Sequence, residues 1–474
     1  MMMSDRVQIG NLFGMRISPE DPSWTAPKTG WDWRDDNVLL ASAWFAELAN
    51  RRTWQRRLDA ARANFVAAKD SWSRGAPVPF FDPADTAAWY VFQANAYAND
   101  RMNWVPEQAV RMVPTFTRIG EELKSLLVIS GAEDRAARLM NADRSQPDGG
   151  LFELLVALAY HRAGFETSFV PERPGVAKTH DLNAHKGRSR WAIECKRMDR
   201  SSYEARERVR GEELARPVHQ LAVDAGRSIH MQIAFDAELF DLPDDYLSRH
   251  AAAYLDGTGP NYWEDEHALA TIAEIDWSLA RRVLHEDDVY FGSSRMIELL
   301  IGRYDHDFAH SMEGKWRPSP DRPFWASAVY QASVVRWRNQ STEAIRKKAR
   351  HFKATVARAA EQLPKDRPGV VHVGIESWSG GTTDGVRHIL NKLEMMDFKP
   401  GDTRLRWVYG EYVAPEVTTR SDESWAIEET SASYRVGRHR TREPLPYHML
   451  LTPEVKINHG VHWDPDSQYP LDRN

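Results

Sequence analysis

Residues 180–196, HDLNAHKGRSRWAIECK, contain a possible tight turn with a strand-like segment on each side. Gly187 stands at the first central position of a possible two-residue turn, and a type II′ turn needs glycine there. The segments on either side are therefore predicted to pair as an antiparallel hairpin. Continuing the register outward from that turn places Asp181 directly opposite Glu194.

The second strand of this hairpin has one apolar face and one polar face. Side chains alternate along a strand, so Trp191, Ile193 and Cys195 share one face and Glu194 and Lys196 share the other. We predict that the apolar face packs in the core, with Cys195 as a packing residue. The polar face is predicted to gather two carboxylates and an ammonium group.

Two carboxylates opposite each other on a sheet repel, and a divalent cation removes that repulsion. Hard oxygen ligands suit Mg²⁺ or Mn²⁺. Lys196 beside such a metal could hold or deprotonate an attacking water. Asp181, Glu194 and Lys196 therefore have the roles that metal-assisted phosphodiester hydrolysis needs.

A second acidic residue precedes the hairpin. Residues 151–160, LFELLVALAY, predict a helix that is apolar nearly all round and therefore buried, and Glu153 is its single charge. A buried carboxylate needs a cation, a metal or hydrogen-bond donors. Glu153 either faces the helix N-terminus, where the macrodipole favours it, or belongs to the same metal site.

This combination resembles the PD-(D/E)xK nuclease superfamily, which has the restriction-endonuclease-like fold. The residues that carry the resemblance are Asp181 and Glu194-Cys195-Lys196, following a helix with Glu153. It implies that Asp181, Glu194 and the main-chain carbonyl of Cys195 ligate Mg²⁺ (or Mn²⁺) and that Lys196 is catalytic. Glu153 matches the helix acid of many members, as a further ligand or catalytic residue.

The resemblance also implies an architecture, an α/β (α+β) fold with a mixed sheet. In it, residues 227–236 are the next core strand, and a helix over 343–363 followed by a strand over 369–377 completes the same sheet. Residues 242–340 are then a helical insertion.

The rest of the chain supports a three-part division. Residues 1–147 are predicted to be a helical N-terminal domain, and 148–415 the nuclease domain. Residues 416–474 are predicted to form a C-terminal strand and an irregular tail.

Composition limits the class of protein. The 474 residues include one cysteine, which excludes internal disulfides and a cysteine-rich zinc site. No apolar run reaches the roughly 18 residues of a membrane-spanning helix. The first residues lack the apolar segment of a secretory signal, so a cytoplasmic location is expected.

Charge gives a mixed indication about nucleic acid. The net charge of −6 argues against a nucleic-acid binder, but residues 171–216 hold 12 basic and 8 acidic residues. His180, Asn183, Arg197 and Arg200 are candidate nucleic-acid contacts. The basic run that follows the hairpin predicts either a phosphate groove or a helix whose arginines pair with its own glutamates.

Three functions remain open at this stage. The first is a DNA endonuclease, with an effector role in phage defence as one expectation. The others are an RNase with the same site and a non-catalytic protein that binds nucleic acid or assembles with partners. A homo-oligomer or a regulatory partner bound through the helical N-terminal region is also open. The tryptophans at 24–54 would suit such an interface, and core filling explains them equally well.

Overall fold

The computed structural model describes residues 35–454, apart from 74–77, 101–102, 172–178, 199–201, 321, 323, 350, 378–379, 422 and 447. Helices and mixed parallel and antiparallel sheets make up this part of the chain, which confirms the predicted α/β class. None of its helices has both the length and the apolar character needed to cross a bilayer.

The described residues between 35 and 147 are helical, as predicted, and contribute no strand beyond an isolated bridge between Ser130 and Ser168. The Asp35 carboxylate caps the first helix by accepting the Val38 N–H (3.1 Å). The seven helices are α1 (Asp36–Leu48), α2 (Arg51–Ser73), α3 (Thr86–Asn99), α4 (Pro106–Ala109), α5 (Val113–Glu121), α6 (Leu123–Leu127) and α7 (Ala132–Asn141).

The predicted hairpin follows a buried helix. The elements are α8 (Asp148–Arg162), β1 (Glu166–Phe169), β2 (Leu182–Lys186) and β3 (Ser189–Met198). β2 pairs with β3 in the predicted register, with His185 opposite Arg190. Gly187 has φ +59° while Arg188 is not among the residues with positive φ, as a type II′ turn requires. β1 adds to the outer edge of β2 in antiparallel orientation.

The chain then forms a second sheet, which the sequence did not predict. The helix α9 (Ser202–Asp224) leads into β4 (Ile229–Phe235), which pairs with β6 and β9 and not with the hairpin. The prediction that residues 227–236 form the next strand of the hairpin's sheet is therefore wrong.

The region 242–340 is also more than a helical insertion. Its elements are α10 (Tyr246–Leu255), β5 (Tyr262–Glu264), β6 (Ala268–Glu274), α11 (Trp277–Glu286), β7 (Val289–Tyr290), α12 (Ser294–Ile301), β8 (Ala309–Pro318) and β9 (Trp325–Asn339). The helices agree with the prediction, but the five strands contradict a purely helical region. They join β4 in a sheet of order β5-β6-β4-β9-β7, with β8 paired to β9.

The chain returns to the first sheet through α13 (Thr342–Ala349), α14 (Phe352–Ala360), β10 (Gly369–Glu376), α15 (Gly380–Met396), β11 (Leu405–Val417) and β12 (Trp425–Arg435). β10 lies parallel to β3, so the strand expected at 369–377 belongs to the hairpin's sheet, as predicted. The sheet order is β1-β2-β3-β10-β11-β12. The predicted boundary after residue 415 falls within β11, which pairs with β12 along its length.

Both faces of this sheet are covered. One hydrophobic cluster joins Val38 of α1, Leu154 of α8, Ile193 of β3 and Leu450 of the C-terminal segment. On the opposite face Ala192 packs with α14 and β10. Among the described residues, the helices before residue 147 therefore share one hydrophobic cluster with the sheet.

Two tryptophans of the 24–54 stretch lie in or against this core. Trp44 is buried in it and Trp54 packs against it, while Trp24, Trp31 and Trp33 lie outside the described residues. Core packing accounts for the described tryptophans of the 24–54 stretch.

We expect Gly120→Ala to lower the melting temperature strongly. A Cβ at Gly120 would lie 1.8 Å from the main-chain oxygen of Asn37, so α1 and α5 would have to move apart, at about 1–3 kcal/mol or more. Gly149→Ala is the matched control, because a Cβ there meets no atom within 4 Å. Thermal unfolding followed by circular dichroism measures both variants, and equal melting temperatures would contradict this packing.

Candidate functional site

The first part of the site forms where β2 and β3 separate. Leu182 opposite Ile193 is the last pair of the hairpin, and β3 continues beyond it. Asp181 lies just before β2. Its N–H donates to the Ile193 carbonyl (3.0 Å), and its carboxylate accepts the N–H of Cys195 (2.8 Å). These two bonds hold the Asp181 carboxylate against the continuing strand.

Glu194 and Lys196 form the second part. The Lys196 ammonium donates to one oxygen of the Glu194 carboxylate, Oε1. The Glu194 side chain is 0% exposed, whereas that of Lys196 is 33% exposed. The other carboxylate oxygen of Glu194, Oε2, is buried with no hydrogen-bond partner among the described residues. The pair therefore has a buried acidic end with spare ligating capacity and a basic end that reaches solvent.

Glu153 joins the site through a residue that the sequence did not indicate. The guanidinium group of Arg135, on α7, pairs with the Glu153 carboxylate and with that of Asp181 (3.2 Å). α8 begins at Asp148, so Glu153 lies in its second turn, beyond the range in which the helix N-terminus stabilises a carboxylate. Of the two open interpretations of Glu153, the geometry favours membership of the site.

Nothing in the local sequence singles out Arg135. Arg138, one turn further along α7, pairs instead with Asp143 (2.8 Å). Only the packing of α7 against α8 and β1 determines which of these arginines meets the acidic cluster.

Burial and the charge of Asp181 raise the affinity of Glu194 and Glu153 for protons. Burial, and then the charge of Asp181, raise the pKa of Glu194 to about 8. Burial and Asp181 likewise raise the pKa of Glu153 to about 8, against the opposing effect of Arg135. Burial acts to lower the pKa of Lys196, but the charge and hydrogen bond of Glu194 raise it above its ordinary value. With Asp181, Glu153 and Glu194 all ionised, the site would hold more negative charge than Lys196 and Arg135 neutralise, and the raised pKa values of Glu153 and Glu194 reduce that excess by keeping protons on them.

This donor set fits a divalent metal in part. Asp181, Glu194 and Glu153 supply hard oxygens, and the unpartnered Oε2 of Glu194 is a free ligand atom. As arranged, however, Lys196 and Arg135 bind the carboxylates. Among the described residues, only His372, Glu411 and His448 bring three possible ligand atoms within 4.8 Å of one another. A metal held by Asp181 and Glu194 would therefore complete its coordination with main-chain oxygen and water, or with Glu153 after Arg135 moves.

The four residues predicted to contact nucleic acid have different surroundings in the structure. The His180 ring donates to the side-chain oxygen of Asn183 (2.9 Å), and both residues are half-buried beside Asp181. Arg197 is not free for phosphate, because it pairs with Asp148 (3.0 Å) and with Glu376. Arg197 as a nucleic-acid contact therefore stays a prediction, one that requires these ion pairs to open. Arg200 lies outside the described residues.

The basic run on α9 is largely ion-paired. Arg208 pairs with Glu212 (3.1 Å), and Arg210 pairs with Glu213 (3.4 Å) and with Asp244 (2.7 Å). Of the two interpretations left open for this run, these contacts favour a helix paired with its own glutamates.

The cluster of His372, Glu411 and His448 was also missed in the sequence. The one sequence signal for this cluster was His372, which interrupts the apolar part of the strand Gly369–Glu376. Its partners come from β11 and from the segment after β12, and no local spacing connects the three residues.

Comparison of the chain with protein-family models, curated proteins and solved structures finds no match.

We expect Glu194→Gln to become more stable relative to the metal-free wild type as pH rises from about 6 to about 9. Because the folded-state pKa is raised, the folded chain binds this proton more tightly than the unfolded chain does. Raising the pH through that pKa therefore removes stability from the wild type. Glutamine does not ionise and escapes this loss.

The measurement is thermal unfolding in a chelating buffer at several pH values. Glu361→Gln, at an exposed position, is the control and should track the wild type. A difference between Glu194→Gln and wild type that does not change with pH would contradict the assignment of Glu194 as a repelled, buried carboxyl.

Proposed function

We propose that this protein is a metal-dependent phosphodiesterase that hydrolyses nucleic acid. The observation that carries the proposal is the convergence of Asp181, Glu194 and Lys196 at the end of one hairpin, with Glu153 joined to Asp181 through Arg135. The fully buried Glu194 carboxylate with one unpartnered oxygen is otherwise hard to account for, because an incompletely paired buried charge is destabilising.

The sheet supports the same proposal. A helix, three antiparallel strands and a further strand parallel to the third follow the order α8, β1, β2, β3 and β10. It agrees in part with what the resemblance to the PD-(D/E)xK superfamily implies, because the strand at 369–377 belongs to the hairpin's sheet whereas residues 227–236 do not. Asp181 lies just before β2, and Glu194 and Lys196 lie on β3.

The proposed roles follow from each residue's position. Asp181, Glu194, the carbonyl of Cys195 and Glu153 would hold Mg²⁺ or Mn²⁺. When bound, the metal polarises the phosphoryl oxygens and stabilises the leaving oxygen. Lys196 is the member of the set that reaches solvent, so its ammonium can orient the water whose oxygen forms the new bond to phosphorus.

Arg135 has a distinct role in this proposal. Its guanidinium group neutralises Glu153 and Asp181 before metal enters. It is also a bidentate donor of the kind that binds phosphate, so on release from the carboxylates it could contact the scissile group.

DNA is the proposed substrate ahead of RNA, on the resemblance alone. A cytoplasmic role in phage defence, and control by self-association or by a regulatory partner at the helical region, belong to the same proposal.

A second function has a specific observation in its favour. Lys196 and Arg135 already bind the acidic cluster, so the site is partly neutralised without metal. This arrangement suits a non-catalytic protein that uses the fold to bind nucleic acid or to assemble with partners.

Cleavage assays on plasmid DNA and on RNA, with Mg²⁺, Mn²⁺ or EDTA, separate these functions. We expect metal-dependent cleavage that falls by at least about 100-fold in Glu194→Gln and in Lys196→Met. Lys365→Gln is the control, because that lysine forms only an exposed ion pair with Asp402.

Full activity in both site variants would overturn the proposed site. Cleavage of RNA alone would assign an RNase. Retention of DNA in a gel shift with no cleavage under any metal condition would favour the binding protein.

We expect Arg135→Gln to bind Mn²⁺ roughly tenfold more tightly than wild type, because it removes a cation that competes for Glu153 and Asp181. Calorimetric titration with Mn²⁺ measures the change. Arg138→Gln, on the same helix and paired with Asp143, should leave Mn²⁺ affinity unchanged. Equal affinities in Arg135→Gln and wild type would contradict competition between the guanidinium group and the metal.

A further inference from the structure

Two histidines and a glutamate meet inside the molecule, on the α8 side of the first sheet. His372 of β10 lies 2.9 Å from the Glu411 carboxylate of β11, measured from Nδ1 to Oε1. His448, in the segment after β12, lies 2.8 Å from the same oxygen through Nε2. The side chains of His372 and Glu411 are 0% exposed and that of His448 is 10% exposed.

The second nitrogen of each imidazole is anchored. His372 Nε2 lies 3.2 Å from the Tyr160 hydroxyl, and His448 Nδ1 lies 2.8 Å from the Leu445 carbonyl. Metal-binding histidines almost always use the non-ligating nitrogen in this way, which fixes the ring and directs the other nitrogen at the metal. Both rings are therefore oriented with one nitrogen facing the same point.

The carboxylate supplies an independent observation. Both histidines contact Oε1 of Glu411, while Oε2 is buried with no hydrogen-bond partner among the described residues. A buried, unpaired carboxylate oxygen is unfavourable, and a cation bound by the Glu411 carboxylate would satisfy it. Glu411 also lines a cavity of about 70 Å³ against α8, β10 and β11, which is large enough to hold water, although His372 and His448 do not line it.

We propose that His372, Glu411 and His448 form a binding site for a divalent transition metal of the Zn²⁺ type. Two imidazoles and one carboxylate select Zn²⁺ over Mg²⁺, which prefers oxygen ligands. The fourth position falls to water or to the Ser431 hydroxyl, which lies 3.3 Å from His448 Nε2.

This site would have a structural role. His448 belongs to the C-terminal segment, whose main-chain N–H groups donate to the Glu429 carboxylate (2.6–3.1 Å) and to the Tyr409 hydroxyl (3.0 Å). Two of its carbonyls accept hydrogen bonds from Arg118 and Arg162. A metal shared by His448, His372 and Glu411 would link this segment to β10 and β11. The proposal does not depend on the proposed nuclease activity.

The test uses the full-length chain after treatment with a chelator. Calorimetric titration with ZnCl₂ and metal analysis of the dialysed protein should give one Zn²⁺ per chain. Titration with Co²⁺ should produce the visible absorption of a four-coordinate nitrogen and oxygen site. Zn²⁺ should also slow tryptic cleavage near Arg440 and Arg442, which precede the proposed ligand His448.

Glu411→Gln and His448→Gln are expected to weaken Zn²⁺ binding by about 100-fold or more, beyond the effect of losing a supporting group alone. Circular dichroism of the two metal-free variants establishes whether they fold. If the variants do not fold, the Zn²⁺ stoichiometry and the Co²⁺ spectrum of the wild-type protein still test the site. Glu194→Gln is a control that separates the two sites, and His161→Gln is a control for loss of a histidine outside the cluster. Both should bind Zn²⁺ as the wild type does.

Failure of the wild-type protein to bind Zn²⁺ would overturn the proposal and assign the cluster as a hydrogen-bonded core with a water on Glu411. Zn²⁺ binding that survives in folded Glu411→Gln and His448→Gln would overturn it as well. Zn²⁺ binding lost in Glu194→Gln would place the metal at the other site. None of these results depends on nuclease activity.

Discussion

The parallel pairing of β3 with β10 determines the environment of the candidate site. It makes β3 an interior strand, covered by α8 on one face and by α14 on the other. In that position Glu194 is fully buried, while Lys196, two residues on, is 33% exposed. Burial, and then the charge of Asp181, raise the pKa of Glu194, and a cation beside it compensates its charge when it ionises.

The helical region before residue 147 completes the site from the other side. Its helices share a core with α8 and β3, and Arg135 of α7 reaches both Glu153 and Asp181. An event that shifts α7, such as binding of a partner to these helices, would change the charge balance at the carboxylates directly. This contact gives the proposed regulation a physical route in which the state of the helices determines whether Arg135 or a metal neutralises the acids.

The two places that could hold a cation differ in chemistry and in setting. The cluster at the end of β3 offers carboxylate oxygens, and its lysine reaches solvent, which suits a hard metal that exchanges and meets substrate. The cluster of His372, Glu411 and His448 offers two imidazole nitrogens and a carboxylate in a buried position, which suits a metal that stays. The sequence already held both sets of residues, but only the first came with a recognisable spacing.

Local sequence determined what depends on neighbouring residues. The turn at Gly187, the alternation along β3 and the all-helical region before residue 147 could be predicted, because turn chemistry and side-chain periodicity act over a few residues. Long-range packing decided the rest. It placed β4 in a second sheet, paired Arg197 with Asp148 and Glu376, brought Arg135 to the carboxylates, and joined His448 to His372 and Glu411. These contacts join residues that are far apart in the chain. Several strands and arginines have similar local sequences, and the burial of whole faces selects the ones that form the contacts. No short stretch of sequence contains that information.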